Sequence, residues 1–275
     1  MTGRLKKAKM PAGPWMIAAL IFSSILLQTD VMDSAVNRKE SAVHIVFNNV
    51  PFHKTLTTSW GFSCFVSYKD QGILFDTGGD GEILLSNMEK MGVQPNKVDL
   101  IVLSHIHWDH TGGLERFLEK KAGLRVCVPE SFPRTFNSAI GEAGAEVFST
   151  PGPMTLSDGL HISGEMGAGI KEQCLILKTG EGLVIITGCA HPGIVHMVRH
   201  AKTWLKDDIY LVLGGFHLKG QGEVEVSRII DDLQALGVKK VAPSHCTGQK
   251  AMALFRKAWQ KDFLHGGCGA VIALP

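Results

Sequence analysis

The chain lacks a dominant charge: 28 Lys and Arg stand against 26 Asp and Glu, a formal +2 over 275 residues. A surface with no prevailing sign offers no electrostatic footprint for nucleic acid, and no such partner is expected. Much of the small excess sits in Arg4, Lys6, Lys7 and Lys9. The interior has no stretch rich in Pro, Ser or charge and no low-complexity segment, which excludes domains strung on linkers. The six cysteines form no disulfide framework. Cys64, Cys127 and Cys174 lie inside apolar runs, Cys189 and Cys246 stand beside histidines, and Cys268 lies between glycines. Reduced, buried thiols are expected.

Long apolar runs are also lacking, with one partial exception. Residues 11–29 carry no charge and centre on WMIAALIFSSILL, directly after the four N-terminal cations. A basic flank before an apolar centre reads as a signal peptide or signal-anchor over residues 1–29. The apolar centre is short of the roughly 20 residues that span a bilayer. No cysteine follows it, so a lipoprotein anchor is not expected. Residues 30–42 then read as a polar linker and 43–275 as the folded domain. The expected location is exported or membrane-anchored, on the periplasmic or cell-surface side, with membrane association through the N-terminus. It becomes cytoplasmic if residues 1–29 are not a signal.

The folded part opens with strand-like runs at 44–50, 61–68 and 73–75, the last two joined by a turn at Asp70 and Gly72. Residues 82–91 have helical spacing, and VDLIVL at 98–103 reads as a buried strand. Strand patterns dominate from 160 to 186. After 190, helices alternate with strands: helices at 194–205, 224–236 and 249–259, strands at 209–213, 240–242 and 270–274. A strand-rich half and an alternating half without a boundary suggest two packed sheets with helices outside, an α/β (α+β) fold.

Chemistry concentrates at the ends of these strands. SHIHWDHTGG, residues 104–113, follows VDLIVL and holds His105, His107, Asp109 and His110. Neutral imidazoles are good Zn²⁺ ligands. Alternation along an extended segment places His105, His107 and Asp109 on one side. The natural division gives His105 and His107 to one metal, and Asp109 and His110 to a second. GCAHPG at 188–193 adds His191 as third ligand of the first metal and Cys189 as a soft candidate ligand. PSHCTG at 243–248 adds His245 to the second metal, with Thr247 as a candidate cap for the following helix. LGGFHL at 213–218 adds His217, which could orient substrate, act as general acid, or support a ligand. Asp76, in the DTGG turn at 76–79, either hydrogen-bonds a ligating imidazole or only shapes its turn. His196 and His200, four apart on a helix, read as an exposed pair.

DTGG, SHIHWDHTGG and two later strand-end histidines together resemble the metallo-β-lactamase superfamily, from about residue 43 to the C-terminus. The resemblance implies a four-layer αβ/βα sandwich with a metal site on one edge of its sheets. TGCAHPGIV, GGFHL and PSHCTG look like the subfamily named for 7,8-dihydropterin-6-yl-methyl-4-(β-D-ribofuranosyl)aminobenzene 5′-phosphate synthase. Two departures stand out. The superfamily's bridging Asp is replaced at the matching strand end by Gly188-Cys189. An acidic pair common in the subfamily reads Lys171-Glu172 before Gln173, Cys174 and Leu175.

The activity implied is that of a metal-dependent hydrolase, with one or two Zn²⁺ ions (Mn²⁺ or Fe²⁺ as alternatives). Metal-activated hydroxide would attack an ester, lactone or phosphoester of a small-molecule, optionally phosphorylated, substrate. Asp109 would orient the hydroxide and His217 protonate the leaving group. The alternatives are the subfamily's named transfer reaction and a non-catalytic metal or ligand sensor.

Overall fold

The first strand, β1 (Ala42–Asn48), is buried along its whole length and pairs antiparallel with β2 (Phe62–Tyr68). The computed structural model describes residues 1–3 and 40–275. The expected signal segment and most of the expected linker lie outside the described residues. Contacts divide the chain into Met1–Ser34 and Ala35–Pro275, and every element below belongs to the second unit. Among the described residues no helix is long and apolar enough to cross a membrane.

β2 turns into β3 (Gln71–Phe75) through Lys69 and Asp70, both at positive φ. Two left-handed residues match the twist of a tight hairpin. Helix α1 (Gly81–Lys90) starts where Asp80 accepts from the N–H groups of Glu82 and Ile83, and it buries Leu84 and Met88. The chain continues through β4 (Leu100–Val102), α2 (Trp108–Thr111), α3 (Leu114–Leu118), β5 (Arg125–Pro129), α4 (Arg134–Glu142) and β6 (Glu146–Thr150). An antiparallel run follows: β7 (Met154–Ser157), β8 (Leu160–Ile162), β9 (Leu175–Thr179) and β10 (Gly182–Thr187). Then come α5 (Ile194–Leu205), β11 (Ile209–Gly215), α6 (Glu223–Ala235), β12 (Lys240–Ser244), α7 (Gln249–Trp259) and β13 (Val271–Ala273).

One sheet has the order β13-β1-β2-β3-β4-β5-β6 and the other β12-β11-β10-β9-β8-β7. Strand alternation sorts the side chains between them. Cys64, Val66, Ile73 and Phe75 of the first sheet meet Val184, Ile186, Leu211 and Leu213 of the second. Phe65 and Leu74 face the other way, onto Leu84, Met88 and Phe117. Leu183 and Ile185 pack on Met197, Val198 and Phe255 of the outer helices. Burial on both faces explains why these strands read as nearly continuous apolar runs. The result is helices, sheet, sheet, helices, the four-layer sandwich expected from the sequence.

Because β3–β4 and β10–β11–β12 are parallel pairs, their carboxyl ends release the chain at one edge. Loops at such an edge are the usual place for ligands.

The structure corrects several expectations. β1 runs from 42 to 48 and not from 44 to 50, because Asn48 turns inward to bond Ser244 Oγ and Gly266 O. β4 keeps only three residues of VDLIVL. β7 is too short to announce itself: its four residues, MTLS, alternate apolar and polar for only two periods, and none is fully buried. Thr247 caps no helix. Its hydroxyl accepts from the Phe216 N–H at 3.0 Å, and Gly248 opens α7 without a side-chain cap.

Candidate metal centre

Asp76 ends β3 in a left-handed conformation (φ 56°), fully buried. Its Oδ1 accepts from Ser104 N at 2.7 Å; its Oδ2 accepts from Ser104 Oγ at 2.7 Å and faces His110 Nδ1 at 2.7 Å. Ser104 Oγ in turn meets His105 Nδ1 at 2.9 Å. One carboxylate therefore turns the far nitrogens of two imidazoles toward the same space, a common arrangement around metal ligands. Gly188 packs against this pair so closely that a Cβ there would lie 2.1 Å from Ser104 Oγ.

After β4 the backbone leaves extended geometry. His107 precedes α2, and Asp109 and His110 sit within that helical turn. Strand alternation thus does not place Asp109 beside His105 and His107, as the sequence suggests. The helical turn sends Asp109 and His110 to a neighbouring cluster. His105, His107 and His191 form one group; Asp109, His110, Cys189 and His245 form another. Within each, one ligand atom per residue lies within 4.8 Å of all the others.

Three loops of the second sheet complete the groups. Glu172, fully buried, accepts backbone N–H bonds from Gly188, Cys189, Ala190 and His191 at 2.8–3.1 Å. It fixes the loop that carries Cys189 and His191. His245 has φ 49° and its Nδ1 meets Asn49 Oδ1 at 2.7 Å. Trp60 lies against the His245 ring, centroids 4.9 Å apart. His217 (φ 54°) is exposed beside His191, ring centroids 4.3 Å apart. Asp76, Ala190, His217 and His245 are all non-glycine residues at positive φ around one centre. Such strain persists where surrounding bonds over-determine it, and it marks functional sites.

Electrostatics divide the two groups. Burial, then the neighbouring imidazoles, hold His105 well below the ordinary histidine range. Burial and the adjacent His217 and His107 bring His191 down to about 4. Both are neutral at pH 7, the form a metal requires. Burial opposes the charged form of His110, but Asp76 outweighs it and raises the ring's pKa. Burial would raise the Asp109 carboxyl, yet the His245 and His110 rings outweigh it and bring it down to about 2. Glu172 is pushed up to about 7 by burial, against the pull of its backbone donors. Hydrogen bonding to Cys246 and burial push the Cys189 thiol up.

The donors fit a cation. His191 Nε2 is buried without a hydrogen-bond partner. His105 Nε2 and His107 Nδ1 face each other at 3.1 Å, near the ~3.3 Å between two nitrogens on a tetrahedral Zn²⁺ at about 2.0–2.1 Å. In the second group His110 Nε2 lies 3.3 Å from Cys189 Sγ, and Asp109 Oδ2 lies 3.3 Å from His245 Nε2 and 3.7 Å from His110 Nε2. Uncharged rings converging on an orphaned nitrogen gain nothing from burial unless a cation joins them. A cavity of about 480 Å³ opens beside the groups, bordered by His191, His217, Phe216, Arg199 and Gln221.

His196 is exposed on that cavity, while His200 turns away and its Nε2 meets Ser163 O at 3.2 Å. Neither joins a group with metal-ligand spacing among the described residues. Asn49 and Trp60 were not legible as site residues; each touches His245 across most of the chain's length. Glu172 was visible in sequence as the remaining acid of the Lys171-Glu172 pair, but nothing there pointed to its hold on the 188–191 loop.

A helix–sheet–sheet–helix sandwich with histidine-rich strand ends at one edge defines a class. The metallo-beta-lactamase superfamily pattern matches residues 61–245, and the chain belongs to that superfamily. It is 30% identical over 259 residues to a 7,8-dihydropterin-6-methyl-4-(beta-D-ribofuranosyl)-aminobenzene-5′-phosphate synthase of Methanocaldococcus jannaschii, covering 75% of this chain and 88% of that one. Among solved structures it resembles Tm1679, described as a metal-dependent hydrolase of the beta-lactamase superfamily (TM-score 0.73, 23% identity, 85% of this chain and 99% of that one). It also resembles a diphosphatase of the PhnP family (TM-score 0.56, 11% identity, 86% and 97%).

Proposed function

We propose that this protein is a metal-dependent hydrolase acting on an ester, lactone or phosphoester of a small, optionally phosphorylated molecule. The observation that carries the reading is the convergence of two unlike donor groups, one all-imidazole and one with a carboxylate and a thiol, beside a substrate-sized cavity. Imidazole, carboxylate and thiol together suit Zn²⁺ better than the harder Mn²⁺. His105, His107 and His191 would hold one ion; Asp109, His110, His245 and Cys189 a second. Ions held there supply an activated water and stabilise the oxyanion that develops on the substrate.

The chain's own groups do the rest. Asp76 keeps His105 and His110 in the tautomers that point their free nitrogens inward. Asp109, ionised at neutral pH, accepts a hydrogen bond from the attacking water and orients it. His217, at the cavity wall, would meet the substrate there. Residues 1–29, if they export the chain, favour a substrate outside the cytoplasm.

The test is elemental analysis and turnover on a panel of esters, lactones and phosphodiesters. Stoichiometric zinc with hydrolysis, both lost in His105→Ala/His107→Ala, supports the reading; protein that binds no divalent metal overturns it. A second reading, group transfer, is favoured by the 30% identity to the synthase. There the ions would hold a diphosphate leaving group and no water need attack. Incubation with dihydropterin diphosphate and the arylamine separates the two: coupled product supports transfer, hydrolysis alone supports the first reading.

A further inference from the structure

Four of the six cysteines belong to apolar packing: Cys268, Cys174, Cys64 and Cys127 each sit within a hydrophobic cluster. Cys189 and Cys246 do not, although both are buried. The Cys246 thiol donates to Cys189 O at 3.6 Å, and Cys189 Sγ lies 3.3 Å from His110 Nε2. One ligand atom from each of Cys189, His217 and Cys246 lies within 4.8 Å of the other two. Two sulfurs on one tetrahedral Zn²⁺ at about 2.3 Å stand roughly 3.8 Å apart, inside the 4.8 Å that bounds this triangle.

The backbone is arranged around this triangle. Gly215 leaves room for the sulfur: a Cβ there would lie 2.6 Å from Cys246 Sγ. Phe216 N donates to Thr247 Oγ1, and Lys219 N donates to Cys246 O, each at 3.0 Å. These bonds strap the loop carrying His217 to the loop carrying Cys246 and hold His217 in its left-handed conformation. Nothing in apolar packing calls for an exposed, strained histidine over two buried thiols.

We propose that Cys189, His217 and Cys246 form a third cation position, selective for a soft or borderline divalent ion such as Zn²⁺. Cys189 would be shared with the Asp109–His110–His245 group, so its thiolate joins the two positions. Two sulfurs and one imidazole leave a fourth ligand place, as in open zinc sites, and His217 brings it to the cavity wall. Loading the sulfurs forms metal–sulfur and metal–nitrogen bonds and releases the thiol protons of both Cys189 and Cys246 to buffer. His217 is thereby a ligand and no longer a proton donor. This assignment does not depend on hydrolysis.

The test is titration of metal-free full-length protein with Co²⁺ under reducing conditions, followed by absorption and equilibrium dialysis. The expected result is three equivalents, the last adding thiolate-to-cobalt charge-transfer intensity. Cys246→Ser should bind two equivalents and lose that increment. His217→Ala, an exposed substitution that leaves the core intact, should weaken the third equivalent at least tenfold. Saturation of the wild type at two equivalents, or a His217→Ala titration identical to wild type, overturns the proposal. Three equivalents without turnover on any substrate would keep it while removing the hydrolase reading.

Discussion

The two halves of the candidate metal centre are built by different means. The half from the first sheet comes from one short stretch, 105–110, and its rings are aimed by a side chain: Asp76 bonds His110 directly and His105 through Ser104. The half from the second sheet comes from three separate strand ends. There the aim is set largely through backbone: Glu172 accepts four N–H bonds of the 188–191 loop, and Thr247 holds the 216 loop. A compact motif can carry its own orienting carboxylate. Scattered ligands depend on the loops that present them.

The largest effect should come from Asp76→Ala. It strands a buried imidazole, a hydroxyl and an N–H at once. Loss of one partner of a buried charged pair costs about 3–5 kcal/mol. Urea unfolding should show that loss, and elemental analysis should show metal missing from both groups. A variant as stable and as well loaded as the wild type would erase the distinction between the halves.

Glu172→Gln should be milder and one-sided. An amide can accept some of the loop's N–H bonds but sets its own NH₂ against others, costing about 1–3 kcal/mol. Metal affinity should fall about 10–100-fold, as for other residues that orient ligands. The His105–His107 pair should keep its hydrogen-bond geometry, read from histidine NMR shifts. Equal disturbance of both halves would contradict the division.

A pH series sharpens the comparison further. In metal-free protein His191 titrates near 4, against 6.5 for the unfolded group, so between these values the unfolded chain binds the extra proton. Its contribution to stability is complete above about pH 6.5 and is lost as pH falls toward 4. Glu172 works in the opposite sense: raised from 4.5 to about 7, its contribution is complete below 4.5 and lost as pH rises through 7. Thermal unfolding of wild type minus His191→Asn should therefore grow in favour of wild type from pH 4 to 6.5. A flat difference would rule out a neutral, desolvated His191. The smallest effect belongs to His196→Ala: exposed and outside both groups, it should change stability by no more than about 0.5 kcal/mol and leave metal content untouched.

The sandwich was legible because its strands, buried on both faces, give apolar runs ending in polar motifs, and because the alternation after residue 190 requires parallel strands. β7 was not, since four alternating, partly exposed residues at a sheet edge are too short a trace to read. The division of SHIHWDH between two groups follows from the sequence, but by the wrong route. Alternation would keep Asp109 with His107; the turn Trp108–Thr111 moves it. Asn49 and Trp60 were invisible because their partner, His245, is met only through the pairing of distant chain ends at the sheet edge. Asp76 could be seen as a turn residue or as a support for imidazole, and geometry alone distinguishes these.

Each of the two unlike donor groups should hold a cation. Anomalous diffraction at the zinc edge from crystals grown with Zn²⁺ tests this most directly. One peak is expected among His105, His107 and His191 and another among Asp109, His110, Cys189 and His245. Zinc absent from both groups, with density only at surface side chains, would contradict it.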